Sequence, residues 1–125
     1  MGHRVLVADD ASFMRLMIRQ VLLRLGCTEV LEAGNGWEAI EIYLAKRPVL
    51  TVLDITMPEL NGLKALEQII SFDPQARVII CSAISHSNVV RQALDLGAVD
   101  FIAKPFRAEE LEKTLIKHLG AGNSS

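Results

Sequence analysis

Short apolar runs alternate with longer stretches whose apolar residues recur at three- and four-residue steps. Arg4 to Ala8 is compact and apolar and predicts a strand. Ser12 to Leu25 sets Met14, Met17, Ile18, Val21 and Leu25 along one helical stripe, with Gly26 as a stop. Glu29 to Ala33 predicts a short second strand. Asn35 then offers an N-cap to a helix running to about Lys46, with Glu38 three residues on in capping-box fashion. Val49 to Asp54 is almost continuously apolar, as a parallel strand buried on both faces should be. The same reasoning predicts a helix over Gly62 to about Phe72, a strand over Arg77 to Ser82 and a helix over Ser87 to Leu96 closed by Gly97. A fifth strand over Val99 to Ala103 and a last helix over Arg107 to Leu119 complete the series.

Five strands alternating with five helices predict an α/β fold: a (βα)5 doubly wound, flavodoxin-like parallel sheet covered on both faces. Right-handed crossovers leave few topologies for it. Ligands of such sheets sit outside the carboxyl ends of the strands, so the residues that matter should follow strands one, three, four and five. The expected domain spans residues 1–119, and the small, polar Gly120 to Ser125 is expected to be a flexible tail.

Composition narrows the function classes. The chain has 125 residues, one domain's worth, of which 50% are hydrophobic and 22% charged. Its net charge is −2 with no basic stripe, which argues against direct nucleic-acid binding. No apolar stretch approaches the about 18 residues that span a bilayer, and the N-terminus lacks the features of a secretory signal. Cys27 and Cys81 fit a reducing compartment, and without histidines at ligand spacing a zinc site is disfavoured. The expected location is cytoplasmic.

The strand ends hold Asp9 and Asp10, Asp54, Ser82 and Lys104. Each type alone is ordinary; Asp10 or Ser12 could simply cap the first helix. Together they direct three carboxylates, a hydroxyl and an ammonium to one rim. Three converging carboxylates repel one another unless a cation relieves them. Oxygen-only donors suit a hard ion such as Mg2+, with Mn2+ as a substitute, and Lys104 balances the remaining charge. Such a site can hold phosphoryl oxygens, and a carboxylate can serve as the phosphoryl nucleophile. Asp54 is therefore expected to form an aspartyl phosphate.

Over nearly its whole length the chain resembles the receiver domains of two-component response regulators, the single-domain chemotaxis regulators above all. The resemblance rests on Val5-Leu-Val-Ala-Asp-Asp10, Leu53-Asp-Ile-Thr-Met-Pro58 with Asn61-Gly62, Cys81-Ser-Ala83 and Asp100-Phe-Ile-Ala-Lys-Pro-Phe106. It implies strand order 2-1-3-4-5. It makes Asp54 the phosphorylated residue, Asp10 a direct Mg2+ ligand, Asp9 a mostly water-mediated one, and Thr56 the donor of a backbone carbonyl to the metal. Lys104 would contact the phosphoryl group, Ser82 would turn inward to bond it, and Phe101 would move inward with Ser82 as an aromatic switch. The Lys104-Pro105 bond corresponds to one usually cis in the family. The implied phosphodonor is a sensor histidine kinase of the CheA type. The implied target, in chemotaxis a flagellar switch protein, binds the face of helix four, strand five and helix five. The protein would be a monomeric switch and not an enzyme, beyond catalysing its own phosphorylation and slow dephosphorylation.

Some positions depart from the pattern. Phe101 lacks a tyrosine hydroxyl, and a plain core phenylalanine is the alternative reading. Thr56 and Ile84 stand where relatives carry acids or amides that position attacking water, which predicts slow self-dephosphorylation. Trp37 is expected to pack at the start of helix two. Met14, Met17 and Phe13 are expected mostly in the core, with Phe13 able to border the site. Met57 and Pro58 are expected to shape a loop, and His86 to lie in one. A haloacid-dehalogenase-type phosphatase would need an Asp where Thr56 stands, and a flavodoxin-like flavin site would be repelled by Asp9-Asp10. A receiver belonging to a larger regulator, or a phosphorelay intermediate, is the alternative to a stand-alone switch.

Overall fold

The computed structural model describes residues 3–123, and side chains from His3 to Leu119. The elements follow in the order β1 (Arg4–Ala8), α1 (Ser12–Arg24), β2 (Glu29–Ala33), α2 (Gly36–Lys46) and β3 (Leu50–Leu53). Then come α3 (Gly62–Phe72), β4 (Val78–Ser82), α4 (Ser87–Asp95), β5 (Asp100–Ala103) and α5 (Ala108–Asn123). All strand pairs are parallel, and the sheet order is β2-β1-β3-β4-β5.

Strand residues alternate between two cores. Leu6, Ala8, Leu53 and Ile80 face α2, α3 and α4 through Ala39, Ile40, Leu66, Ile69 and Ala93. Val5, Val7, Val52, Ile79, Cys81 and Ile102 face α1 and α5 through Ile18, Val21, Leu22, Leu111 and Leu115. Burial on both faces explains why β3 and β4 read as continuous apolar runs. Each fully buried Leu or Ile contributes about 1.5–3 kcal/mol.

Most element bounds match the apolar pattern within a residue, and the differences are local. Val49 and Val99 sit just outside their strands, yet their N–H groups bond to Arg4 and Val78 carbonyls. The last helix continues beyond Leu119 to Asn123, because glycine costs a helix only about 1 kcal/mol against alanine and does not forbid it. Ser124 and Ser125, the rest of the expected tail, lie outside the described residues.

The helix starts are chemically specific. Asn35 Oδ1 accepts from Glu38 N–H at 2.9 Å, while Glu38 Oε1 reaches back to Gly34 N–H at 2.7 Å. The reciprocal bond of this box is thus shifted one residue ahead of the cap. Neither Asp10 nor Ser12 caps α1: Ala11 occupies the N-cap and no side chain bonds the first turn. Two hydrophobic expectations also fail. Phe13 is 70% exposed and Trp37 54% exposed, since both project from the outer faces of helices whose inner stripes are already filled. Met14 and Met17 are partly buried.

Candidate functional site

The carboxyl ends of β1, β3, β4 and β5 form one rim, and the sheet register sets its chemistry. Asp9 N–H extends the ladder to Ala33 O at 3.0 Å, and Asp54 N–H bonds Ala8 O at 2.9 Å. Both aspartates are therefore anchored by backbone at adjacent strand ends. Asp9 is tied further: Oδ1 accepts from Ala11 N–H at 2.9 Å, its carbonyl from Arg15 Nη1 at 2.6 Å, and Oδ2 from Lys104 Nζ at 2.6 Å. Lys104 Nζ lies 3.6 Å from Asp54 Oδ2. Asp54 is 5% exposed, Asp9 is buried and Asp10 is exposed.

One carboxylate oxygen from each of Asp9, Asp10 and Asp54 lies within 4.8 Å of the others. Burial raises the Asp54 pKa above the ordinary carboxylate range; Lys104 opposes this, the Asp9 charge adds to it, and Ile55 and Thr56 backbone N–H groups oppose it. For Lys104, burial acts to lower the pKa, but the Asp9 hydrogen bond and the Asp54 and Asp9 charges outweigh it and hold the ammonium charged. A single lysine thus serves two carboxylates unequally, and Asp54 carries uncompensated charge. Hard oxygen donors converging with surplus negative charge fit a divalent cation of the Mg2+ class.

The loop after Asp54 is narrow for an identifiable reason. Gly62 N–H bonds Ile55 O at 2.8 Å, and a Cβ at Gly62 would collide with the Asp54 carbonyl oxygen. Glu59 adopts a left-handed φ of 67°, and Asn61 Oδ1 caps α3 through Lys64 N–H at 3.0 Å. Thr56 is exposed within this loop, and Met57 is buried. Along the chain Asn61-Gly62 stands out only within the receiver pattern; the close approach of backbone to backbone is what demands glycine there.

Ser82 is fully buried, and its Oγ accepts from Ile84 N–H at 3.1 Å. This hydroxyl is held by its own loop and makes no hydrogen bond to the side chain of Asp54 or Lys104. Lys104 N–H bonds Ser82 O at 2.9 Å, which joins the ends of β4 and β5, and the Lys104-Pro105 bond is cis. Phe101 is half-buried against the core under α2, α3 and α4. The structure thus brings Asp9, Asp10, Asp54 and Lys104 together, with Thr56 and Ser82 in the adjoining loops, and sets Phe101 apart on β5. His86 is the exposed N-cap residue of α4. The Cys81 thiol is pushed up to about 12 by burial and is unreactive.

Sequence reading missed Arg15. Its guanidinium also bonds Glu32 Oε1 at 2.9 Å, so it steadies the Asp9 carbonyl from α1. Nothing in residue type or spacing marked it among thirteen basic residues.

The profile of the response regulator receiver domain matches residues 5–116. The chain belongs to that family. This receiver domain is 46% identical over 119 residues to the chemotaxis protein CheY of Bacillus subtilis, covering 95% of this chain and 99% of the other. It is 44% identical over 117 residues to CheY of Thermotoga maritima, covering 94% and 98%. Among solved structures it is similar to the CheX–CheY–BeF3–Mg2+ complex from Borrelia burgdorferi. There the TM-score is 0.90 at 31% identity, with 94% of this chain and 89% of that one covered. Among the described residues no helix is long and apolar enough to cross a membrane.

Proposed function

We propose that this receiver is a phosphorylation-activated response regulator of chemotaxis that accepts a phosphoryl group on Asp54 from a CheA-type sensor histidine kinase. The observation that carries this reading is Asp54 itself: a buried carboxylate with raised pKa, clustered with Asp9 and Asp10 and 3.6 Å from the Lys104 ammonium. An Asp54 carboxylate oxygen attacks the phosphorus, the P–N bond to the donor imidazole breaks, and the imidazole leaves with its electron pair. Asp9, Asp10, Asp54 and the Thr56 carbonyl would hold Mg2+, or Mn2+ in its place. The bound cation supplies charge neutralisation for the phosphoryl oxygens. Lys104 exchanges part of its contact with Asp9 for the new phosphoryl group. Ser82 gives up Ile84 N–H and donates its hydroxyl inward, and Phe101 follows into the space vacated.

The altered face of α4, β5 and α5 then binds a target, in chemotaxis a flagellar switch protein. For the two states to exchange usefully, phosphorylation must favour one by a few kcal/mol. The protein acts in the cytoplasm as a monomer, and its catalysis is confined to its own phosphorylation and dephosphorylation. Ile84 and Thr56 offer attacking water no acid or amide, which supports a long-lived acyl phosphate.

Intact-mass measurement after incubation with a small phosphodonor and Mg2+ tests the reading. The wild-type protein should gain one phosphoryl group and Asp54→Ala none. Equal gain by Asp54→Ala would refute it. A pull-down with beryllofluoride and Mg2+ then tests the target: enrichment of flagellar switch protein supports motility control, and a phosphotransfer protein alone points to a relay.

A further inference from the structure

We propose that Arg15 is a positioning residue for the cation: anchored on Glu32, it replaces a missing sheet partner at the Asp9 carbonyl and so fixes the peptide that presents Asp10. The sheet register is the starting point. β1 and β2 pair in parallel up to Ala8 and Ala33, and Asp9 N–H carries the ladder one bond further, to Ala33 O at 3.0 Å. In a continued parallel ladder the Asp9 carbonyl would accept the N–H of residue 35. Instead β2 ends at Ala33, and Asn35 turns away to cap α2. The carbonyl of a buried residue then needs another donor.

Arg15 supplies it. From α1 its Nη1 donates to Asp9 O at 2.6 Å, and its Nε donates to Glu32 Oε1 at 2.9 Å. Arg19, one turn on, holds the second oxygen, Glu32 Oε2, at 3.2 Å. Glu32 and Ala33 are neighbours on β2, so both polar groups of the Asp9 backbone return to the same place. The N–H does so directly and the carbonyl through Arg15. A guanidinium suits this task, because its planar fork serves two acceptors in a fixed geometry.

What the arrangement holds is Asp10. The Asp9 side chain is fixed separately, by Ala11 N–H and by Lys104. The exposed Asp10 side chain has no hydrogen bond of its own among the described residues. Yet one of its oxygens lies within 4.8 Å of oxygens of Asp9 and Asp54. The Asp9 carbonyl and the Asp10 N–H belong to one planar peptide, so the bond from Arg15 sets the direction in which Asp10 leaves the strand. Outer partners that orient ligands govern metal affinity in this way. Charge alone works in the opposite sense: a guanidinium next to this acidic cluster weakens its attraction for a cation. Position and charge therefore predict opposite effects of removing Arg15.

The inference rests on the cation reading proposed above, and its test separates the two. Mg2+ alone is titrated into the unphosphorylated protein and followed by backbone amide resonances, which also show that each variant is folded. Arg15→Met should bind Mg2+ about 10-fold more weakly. Glu32→Ala, which frees the Nε end of Arg15, should weaken binding as well. Through-space charge alone gives opposite signs, tighter for Arg15→Met and weaker for Glu32→Ala. Arg19→Met removes the same charge one turn away but leaves the Asp9 carbonyl bonded, and should not weaken binding. Arg15→Met binding as tightly as wild type, or more tightly, would overturn the inference. So would Glu32→Ala at wild-type affinity, or Arg19→Met as weak as Arg15→Met. A wild-type protein that takes up no Mg2+ would overturn the cation reading itself, and the inference with it.

Discussion

At the carboxyl ends of the strands three carboxylates face one ammonium, and Asp54 is held where burial disfavours its charge. At the amino ends the polar groups are largely matched: Tyr43 Oη donates to Asp73 at 2.7 Å, and Arg77, His118 and Asp100 form a continuous chain. Burial alone would raise Asp100, yet its bonds to His118 and Phe101 N–H and the nearby Lys117 bring its pKa below the ordinary range. Tyr43 is pushed up by burial and by its bond to Asp73. Both rims use buried charge: the amino rim leaves only the Arg77 Nε without a hydrogen-bond partner among its named groups, whereas the carboxyl rim sets three carboxylates against one ammonium. A protein can keep such charge where a ligand completes it, and that rim is where the chemistry belongs.

The contrast can be broken by mutation, beginning where the effect is largest. Gly62→Ala should cost about 3–5 kcal/mol in urea unfolding, because its Cβ meets the Asp54 carbonyl oxygen and the backbone has nowhere to yield. At the matched rim, His118→Ala should cost about 2–3 kcal/mol, since it strands the Arg77 guanidinium and an Asp100 oxygen. At the site rim the sign reverses. Asp54→Asn should stabilise by about 1–2 kcal/mol at pH 7, because it removes a buried charge that Lys104 compensates only in part. Asn61→Ala should cost about 1 kcal/mol, the loss of an exposed cap.

Acidification sharpens the same comparison. Asp54 has a raised pKa in the folded state, so its ionised form weakens folding above that pKa and the penalty disappears as pH falls. The advantage of Asp54→Asn should therefore shrink on acidification and vanish below about pH 4. Asp100, whose folded pKa is lowered, behaves oppositely: its contribution is present above the unfolded value and is lost as pH falls through the folded one. An Asp100→Asn protein should thus differ most from wild type at neutral pH and least in acid. Thermal melts across pH of the two variants check both signs, and parallel curves would erase the distinction between the rims.

Much of the fold was legible in the chain because a sheet buried on both faces leaves a direct signature. Runs such as Val78-Ile-Ile-Cys81 can be little else between two amphipathic helices. The site residues at strand ends were legible for the same reason: once the strands are known, the residues that follow them share a rim. Helix faces were less so. Phe13 was expected mostly in the core or bordering the site, and Trp37 packed at the start of helix two; both stand largely exposed because the stripes beneath them were already full, and composition does not report how many apolar residues a core accepts.

The chain alone determined five strands, five helices and a rim bearing Asp9, Asp10, Asp54, Ser82 and Lys104, because periodicity and strand ends are local properties. Tertiary structure alone decided how Lys104 divides itself, 2.6 Å from Asp9 and 3.6 Å from Asp54. It also placed Arg15 under the Asp9 carbonyl and joined Arg77 to His118 across 41 positions of sequence. Those pairings depend on the three-dimensional approach of distant segments and on what burial does to charge, and no pattern within either segment encodes them.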